Sequence, residues 1–183
     1  MLPLEKQSLL ESLNNGRDAL ETALAGVDDA LASRKPPSRD PSNPAWSILE
    51  CVDHMVESER YLLTRLRIAQ FSTDPPHSSR EAKIADRAAD RSRPIEAPSV
   101  AHPSGNYPGL GEALAAFDAV RAETLEYVEN LTDDPRCLTT DHPLVLGPVT
   151  CYETLLMIAA HPARHAQQIL EIRRALESAD RRR

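Results

Sequence analysis

The chain has 183 residues with 28 acidic and 21 basic side chains, a length that can bury a core without disulfides or structural metals. Its net charge of -7 argues against a polyanionic partner, so we expect no nucleic-acid binding. Three cysteines without CxxC spacing do not indicate a disulfide framework or a zinc knuckle, and no stretch resembles a membrane span or a signal peptide. We therefore expect a single soluble domain over residues 1–183 in a reducing cytoplasm.

The first predicted helix runs from Leu4 to about Leu31. Its apolar residues are separated by three, four or seven positions, which is the spacing of one helix face: Leu9, Leu13, Leu20, Leu24, Val27 and Leu31. The next segment, residues 33–44, contains four prolines, whose fixed φ and missing N–H prevent regular pairing. This segment is predicted to be a loop.

The second predicted helix carries a single histidine, His54. We expect Asn43 to cap its free N–H groups and Pro44 to occupy its first position, where a missing donor costs nothing. Its apolar face continues to about Phe71: Ile48, Val52, Met55, Leu62 and Leu66.

A long connection, residues 72–109, follows the second helix. It is rich in prolines: Pro75, Pro76, Pro94, Pro98, Pro103 and Pro108. Residues 79–91 between these prolines are predicted to form a short polar helix. Because a connection of this length is usually functional when it is ordered, we expect it to lie over the site as a lid.

The third predicted helix, Leu110 to Leu131, has an arginine within its apolar stripe. Arg121 stands where an apolar residue is expected. Its guanidinium can bind an anionic group of a substrate. The alternative is that its stem lies along the core edge or that it pairs with a carboxylate inside the bundle. Residues 133–149 are then predicted to be a loop.

The fourth predicted helix starts at a capping box of Thr150 and Glu153, because each side chain can satisfy the other's free backbone donor. It runs to about Leu176 and is followed by a short polar tail. Four long helices without a convincing alternating strand predict an all-α fold, a four-helix bundle with long connecting loops.

Two histidines of the fourth helix, His161 and His165, are four residues apart and therefore lie on one helix face, where both imidazoles can reach one ion. His54 from the second helix would complete a three-nitrogen site that leaves coordination positions open. Alternatively, the pair arises by chance or as a hydrogen-bonded pair. Pro162 lies between them and predicts a kink near His161.

Cys51 offers a further alternative for the metal site. It precedes His54 by three residues, so it lies on a similar helix face and would close the site as a fourth ligand. A lone buried cysteine is more often a small apolar side chain in the core. Imidazole nitrogens suit zinc, nickel, copper and iron, and we expect zinc or nickel.

Several motifs in this order resemble the DinB-like (DinB/YfiT-type) metal-binding four-helix bundles. They are Trp46-Ser47, Glu50 with His54, Gly147 before the capping box, and the run His161-Pro-Ala-Arg-His165-Ala-Gln-Gln168-Ile169. The resemblance covers nearly the whole chain, and its most specific part is the H-x-x-x-H helix together with one histidine about a hundred residues earlier.

The resemblance to DinB-like proteins implies a divalent metal held by His54, His161 and His165, often in a dimeric cytoplasmic protein. Some relatives are glutathione-independent S-transferases or isomerases that use low-molecular-weight thiols such as bacillithiol or mycothiol. We therefore expect a homodimer that acts on a small-molecule substrate.

Three functions remain open from the sequence. The first is a metal-dependent S-transferase in which the ion stabilises a thiolate. The second is a hydrolase that uses metal-activated water, with Glu50 or Glu57 as the base. The third is a non-catalytic metal- or ligand-binding bundle. For an enzyme, the candidate substrate-binding residues are Tyr61, Arg121 and Gln168, although Tyr61 and Gln168 also fit ordinary packing or exposure.

Overall fold

Helices and a small sheet make up the residues that the computed structural model describes, namely 1–38, 45–75, 78–92 and 95–182. The helices are α1 (Pro3–Leu24), α2 (Asp29–Ala32), α3 (Ile48–Arg67), α4 (Glu81–Ala89), α5 (Leu110–Glu129) and α6 (Cys151–Asp180). The strands are β1 (Gln70–Phe71), β2 (Leu138–His142) and β3 (Val145–Thr150).

The four long helices α1, α3, α5 and α6 form a bundle, which confirms the predicted all-α four-helix architecture. Helix α6 packs on α1 and α3, and α5 packs on α3 and α1. The largest fully buried side chains come from all four helices: Leu13, Leu20, Ile48, Met55, Leu63, Phe117, Leu155, Ile158 and Ile169. No described helix is both long enough and apolar enough to cross a lipid bilayer.

The first helix is shorter than the sequence predicts. Helix α1 ends at Leu24 because Gly26 adopts a left-handed backbone with φ of 74°, which stops a right-handed helix. The chain then starts α2, whose N-cap Asp28 accepts a hydrogen bond from Leu31 N at 2.8 Å. Val27 and Leu31 still pack against the core, although neither lies on α1.

Helix α3 begins later than predicted. The predicted cap, Asn43 with Pro44, lies outside the described residues, and residues 45–47 precede the helix. Ser47 is the N-cap, and it forms a capping box with Glu50, whose carboxylate accepts from Ser47 N at 2.7 Å. The helix also ends earlier, since Phe71 lies in β1.

The predicted loop 133–149 contains two strands, which corrects that prediction. With β1 they form an antiparallel sheet in the order β1-β2-β3, in which Thr140 pairs with Val149. The strands are short, and β3 carries Pro148, which is tolerated because β3 is an edge strand. The sheet follows the end of α3 and leads into the start of α6, so these two helices run antiparallel.

The connection 72–109 packs on the two helices that carry the histidines. The predicted short polar helix is confirmed as α4, which lies against α6. A 3-10 turn, Ser99–Ala101, lies against α3. Pro76 and Pro94 lie outside the described residues. The connection therefore borders the site, and its movement as a lid stays a prediction.

Candidate metal centre

Three histidines from two antiparallel helices converge at one point. His54 Nε2 on α3 lies 3.3 Å from His161 Nε2 on α6, and His165 Nε2 lies 2.8 Å from the same nitrogen. The ligand nitrogens of all three residues lie within 4.8 Å of one another. Two metal–nitrogen bonds of about 2.0–2.1 Å at a tetrahedral angle place their nitrogens about 3.3 Å apart. Small side-chain rotations are therefore enough to fit one ion.

Carbonyl oxygens fix the orientation of two of these rings. His54 Nδ1 lies 2.5 Å from Ala101 O, and His165 Nδ1 lies 2.9 Å from Gln168 Oε1. A carbonyl only accepts hydrogen bonds, so each Nδ1 carries the proton and each Nε2 presents a lone pair. This tautomer is the one in which Nε2 binds a metal ion.

Burial keeps the three imidazoles neutral. His54 and His165 are 5% and 4% exposed, and His161 is half-buried. Burial lowers the pKa of His54 to about 4. Burial also holds the pKa of His161 and His165 well below the usual value, and the neighbouring histidines lower it further. Neutral imidazole is the form that binds a metal, so the cluster is ready for a cation at neutral pH.

An aromatic side chain and the connection cover the cluster on the α3 side. The ring of Trp46 lies 4.8 Å from the ring of His54. Ala101, which accepts the His54 hydrogen bond, is buried in the 3-10 turn of the connection. Asp53 fixes the next part of the connection, because its carboxylate accepts from Ser104 Oγ at 2.9 Å and Gly105 N at 2.7 Å.

Helix α6 continues through the proline that separates the two histidines. Pro162 lies inside the helix, which runs without a break from Cys151 to Asp180. The capping box predicted at its start is confirmed, with Glu153 N 3.0 Å from Thr150 Oγ1 and Thr150 N 2.9 Å from the Glu153 carboxylate. The histidines therefore lie on a helix with a well-defined start.

A family model described as the DinB superfamily matches residues 12–169, a range that includes all three histidines. The chain belongs to the DinB superfamily. A search of curated proteins finds no match.

Solved structures share the DinB fold. TT2238, described as a four-helix bundle protein, is 23% identical with a TM-score of 0.57, and the alignment covers 91% of this chain and 98% of TT2238. YfiT from Bacillus subtilis, described as a probable metal-dependent hydrolase with an unusual four-helix bundle topology, is 16% identical with a TM-score of 0.63, over 97% of this chain and 90% of YfiT.

A third similar structure is that of the colibactin self-resistance protein ClbS in complex with a dsDNA. It is 13% identical with a TM-score of 0.55, and the alignment covers 92% of this chain and 95% of ClbS. At identities this low, the three structures establish the common fold alone.

The candidate substrate residues occupy different environments in this DinB bundle. Gln168 contacts His165 and so supports a ring of the cluster. Arg121 is 4% exposed and forms an ion pair with Glu59, which is the alternative that the sequence left open. Tyr61 is half-buried against the core. A role of these residues in substrate binding stays a prediction.

Other candidate ligands and bases lie apart from the three histidines. Glu50 caps α3 and pairs with Lys35 at 2.8 Å, and Glu57 pairs with Arg60 at 2.8 Å. Cys51 is fully buried in the core cluster, and burial raises the pKa of its thiol, so it stays protonated. Within the described ranges, the group of side chains able to share an ion consists of the three histidines.

Sequence reasoning missed the contacts that hold the rings. The carbonyl of Ala101 carries no side-chain signal, because any residue at that position offers the same acceptor. The role of Gln168 was open to prediction, since a side chain three residues after His165 lies on the same helix face.

Proposed function

We propose that this protein binds one divalent metal ion through His54, His161 and His165, and that it is a thiol-dependent S-transferase acting on a small electrophile. The observation that carries the proposal is the convergence of three Nε2 atoms, two of which belong to rings whose Nδ1 proton is engaged by a carbonyl. The Nε2 lone pairs of His54 and His165 are both directed at His161 Nε2, and a cation bound between the three nitrogens would stabilise this arrangement.

A facial set of three nitrogens favours catalysis over a purely structural role. Such a set leaves coordination positions for a substrate, whereas structural zinc sites use four protein ligands. Once bound, the ion would supply positive charge that favours the thiolate form of a thiol at neutral pH. The sulfur lone pair then forms the new bond to the electrophilic carbon, the leaving group departs with its electron pair, and the thiol proton passes to solvent.

The position of the acidic side chains supports a transferase more than a hydrolase. A hydrolase that activates water benefits from a nearby general base, and the candidates Glu50 and Glu57 are engaged by Lys35 and Arg60. A thiol is far more acidic than water, so it needs less help in losing its proton. Among the described residues, the group of side chains that can share an ion contains three imidazoles and no carboxylate, and the neighbouring Asp53 accepts from Ser104 Oγ and Gly105 N.

Metal-dependent hydrolysis is the second candidate function. It is supported by the similarity to YfiT, which is described as a probable metal-dependent hydrolase. The same ion would lower the pKa of bound water to about 7. We further propose zinc or nickel as the metal, a cytoplasmic location and a homodimer, in line with the family resemblance.

Protein purified without a metal-affinity tag tests the proposal. We expect elemental analysis to find about one zinc or nickel ion per chain, because the cluster offers one facial site. His161→Ala should abolish this ion. His102→Ala is the matched control, since His102 is exposed and its side chain contacts Ala97 O and the edge of Trp46 without belonging to the group of three histidines.

Activity of the metal-loaded protein separates the two enzymatic functions. The transferase predicts conversion of an electrophile such as a haloaromatic compound only when a low-molecular-weight thiol is added. Turnover without a thiol contradicts the transferase and supports the hydrolase. Metal binding without any turnover by either route would favour a binding bundle instead.

A further inference from the structure

Pro162 removes one hydrogen bond from α6 next to the cluster. In an α-helix the N–H of each residue bonds to the carbonyl four residues earlier, and proline has no N–H. The carbonyl that loses its helical donor is therefore that of Ile158, which is fully buried three residues before His161. A buried carbonyl without a donor is costly, so another donor is expected there.

The guanidinium of Arg121 supplies a donor to this carbonyl from α5. Arg121 Nη2 lies 3.5 Å from Ile158 O, and Nη1 donates to Leu13 O on α1. Both Arg121 and Glu59 are 4% exposed. The guanidinium thus connects α5 to backbone carbonyls of α1 and α6 inside the core.

Glu59 on α3 holds this guanidinium in place. Arg121 Nε lies 2.8 Å from Glu59 Oε1, and Nη2 lies 2.7 Å from Oε2. Thr124 Oγ1 also donates to Glu59 Oε1, at 2.8 Å. A two-point contact of this kind fixes the plane of the guanidinium as well as its position. Glu59 lies on α3, five residues after His54, and Arg121 also contacts Ile158 O on α6. The network therefore joins the two helices that carry the histidines.

Gly16 on α1 lets the same turn of α6 pack closely. A Cβ at position 16 would lie 3.0 Å from Ala159 O and 3.3 Å from Pro162 Cγ. The ring of Pro162 and the backbone at Ala159 therefore pack directly on α1, and Arg121 contacts the carbonyl of the residue before Ala159, Ile158. All three other long helices contribute to the environment of the turn before His161.

We propose that Arg121 is a positioning residue for the metal centre, and that it replaces the hydrogen bond which Pro162 removes. By binding Ile158 O, Arg121 fixes the α6 turn that carries His161. Glu59 binds the same guanidinium from α3, the helix that carries His54, so the two helices are held at a fixed distance from each other. A buried ion pair alone is weak evidence for a stabilising role. The inference depends instead on where the pair lies, next to Ile158 O, the carbonyl that has no helical donor because of Pro162. The inference rests on the proposed function, because it requires an ion at the three histidines.

A double-mutant cycle tests this role through zinc affinity, measured by competition with a chromophoric chelator. Arg121→Met is combined with Glu59→Gln, so that no unpaired charge stays buried. With Pro162 present, we expect this pair of substitutions to weaken zinc binding about tenfold. In a Pro162→Ala background, the new N–H of residue 162 can bond to Ile158 O. The same pair should then weaken zinc binding by no more than about threefold.

Co²⁺ absorption provides a second readout that reports ligand geometry instead of stability. With Pro162 present, the combined substitutions Arg121→Met and Glu59→Gln should change the d–d bands. In the Pro162→Ala background, the same substitutions should leave the bands close to those of the protein that keeps Arg121 and Glu59. Arg17→Met is the matched control, since the ion pairs of Arg17 are with Asp118 on α5 and Glu21 on α1. It should leave zinc affinity and the cobalt spectrum unchanged.

Two results would overturn the positioning role while leaving the proposed function intact: equal losses of zinc affinity in both backgrounds, or no loss in either. If the Met/Gln protein does not fold, Arg121→Lys decides, because it keeps the charge and loses the two-point contact with Glu59. Arg121→Lys should also weaken zinc binding more with Pro162 present than in the Pro162→Ala background. An equal loss in both backgrounds overturns the positioning role. Failure of the wild-type protein itself to bind zinc or Co²⁺ would instead defeat the proposed function.

Discussion

Gln168 lies one turn after His165 on α6, and its Oε1 lies 2.9 Å from His165 Nδ1. This contact keeps the proton on Nδ1 and leaves Nε2 directed at His161 and His54. The amide of Gln168 therefore determines both the tautomer and the orientation of the His165 ring.

Replacement of Gln168 by leucine should weaken metal binding without removing a ligand. Loss of a group that orients a ligand typically costs about 10- to 100-fold in affinity. Zinc titration against a competing chelator measures the effect. Gln167→Leu is the control, because Gln167 is the exposed neighbour on the same helix. Equal affinity in the two variants would contradict the assigned role of Gln168.

Removal of the metal should lower the thermal stability and leave the fold intact. The core is formed by four long helices with many fully buried apolar side chains, so folding does not depend on an ion. Helical circular dichroism should survive dialysis against EDTA, and Tm should rise again on addition of zinc, because a ligand that binds only the folded state stabilises it. Unfolding on chelation would indicate a structural metal site.

Acid should destabilise the metal-free protein. Burial lowers the pKa of His54 to about 4 in the folded state, whereas an unfolded histidine has a pKa of about 6.5. Between these values the unfolded chain binds more protons than the folded chain, so the free energy of unfolding falls as the pH decreases from about 6.5 towards about 4. Urea denaturation across this pH range measures the slope.

The control for the acid effect is the variant His54→Gln, which carries no titrating group at this position. Its slope should be shallower than that of the wild type, although His161 and His165 still contribute. An unchanged slope in this variant would show that His54 is not the source of the acid sensitivity.

Two glycines should respond in opposite ways to substitution by alanine. At Gly16 a Cβ would lie 3.0 Å from Ala159 O, so Gly16→Ala should destabilise the protein by forcing α1 and α6 apart. Gly111, the second residue of α5, has nothing within 4 Å of the same position, so Gly111→Ala should stabilise the helix by less than the roughly 0.5–1 kcal/mol typical of a mid-helix glycine. Chemical denaturation measures both effects, and a neutral Gly16→Ala would contradict the close packing at Pro162.

The sequence predicted the features that depend on local patterns. Leu13 and Leu20 mark the buried face of α1, and Thr150 with Glu153 marks the start of α6. His161 and His165 share a face by helical spacing alone. The approach of His54 depends on how α3 packs against α6, and family resemblance supplied this information before the structure did.

The features that escaped prediction depend on contacts between distant parts of the chain. Strands β2 and β3 are short, and β3 carries Pro148, which an edge strand tolerates. For Arg121 the sequence left open a substrate contact and a carboxylate partner inside the bundle, because that partner, Glu59, lies 62 residues earlier in the chain. The carbonyl of Ala101 reaches His54 from the end of the proline-rich connection, which has no periodic pattern.

X-ray absorption spectroscopy of the zinc-loaded, tag-free protein tests the central claim most directly. Three converging imidazoles predict a spectrum fitted by three nitrogen ligands at about 2.0–2.1 Å with the outer-sphere features of histidine, plus light-atom scattering from an exchangeable ligand. A sulfur scatterer at about 2.3 Å in the protein alone, or fewer than three imidazoles, would contradict the open three-histidine site.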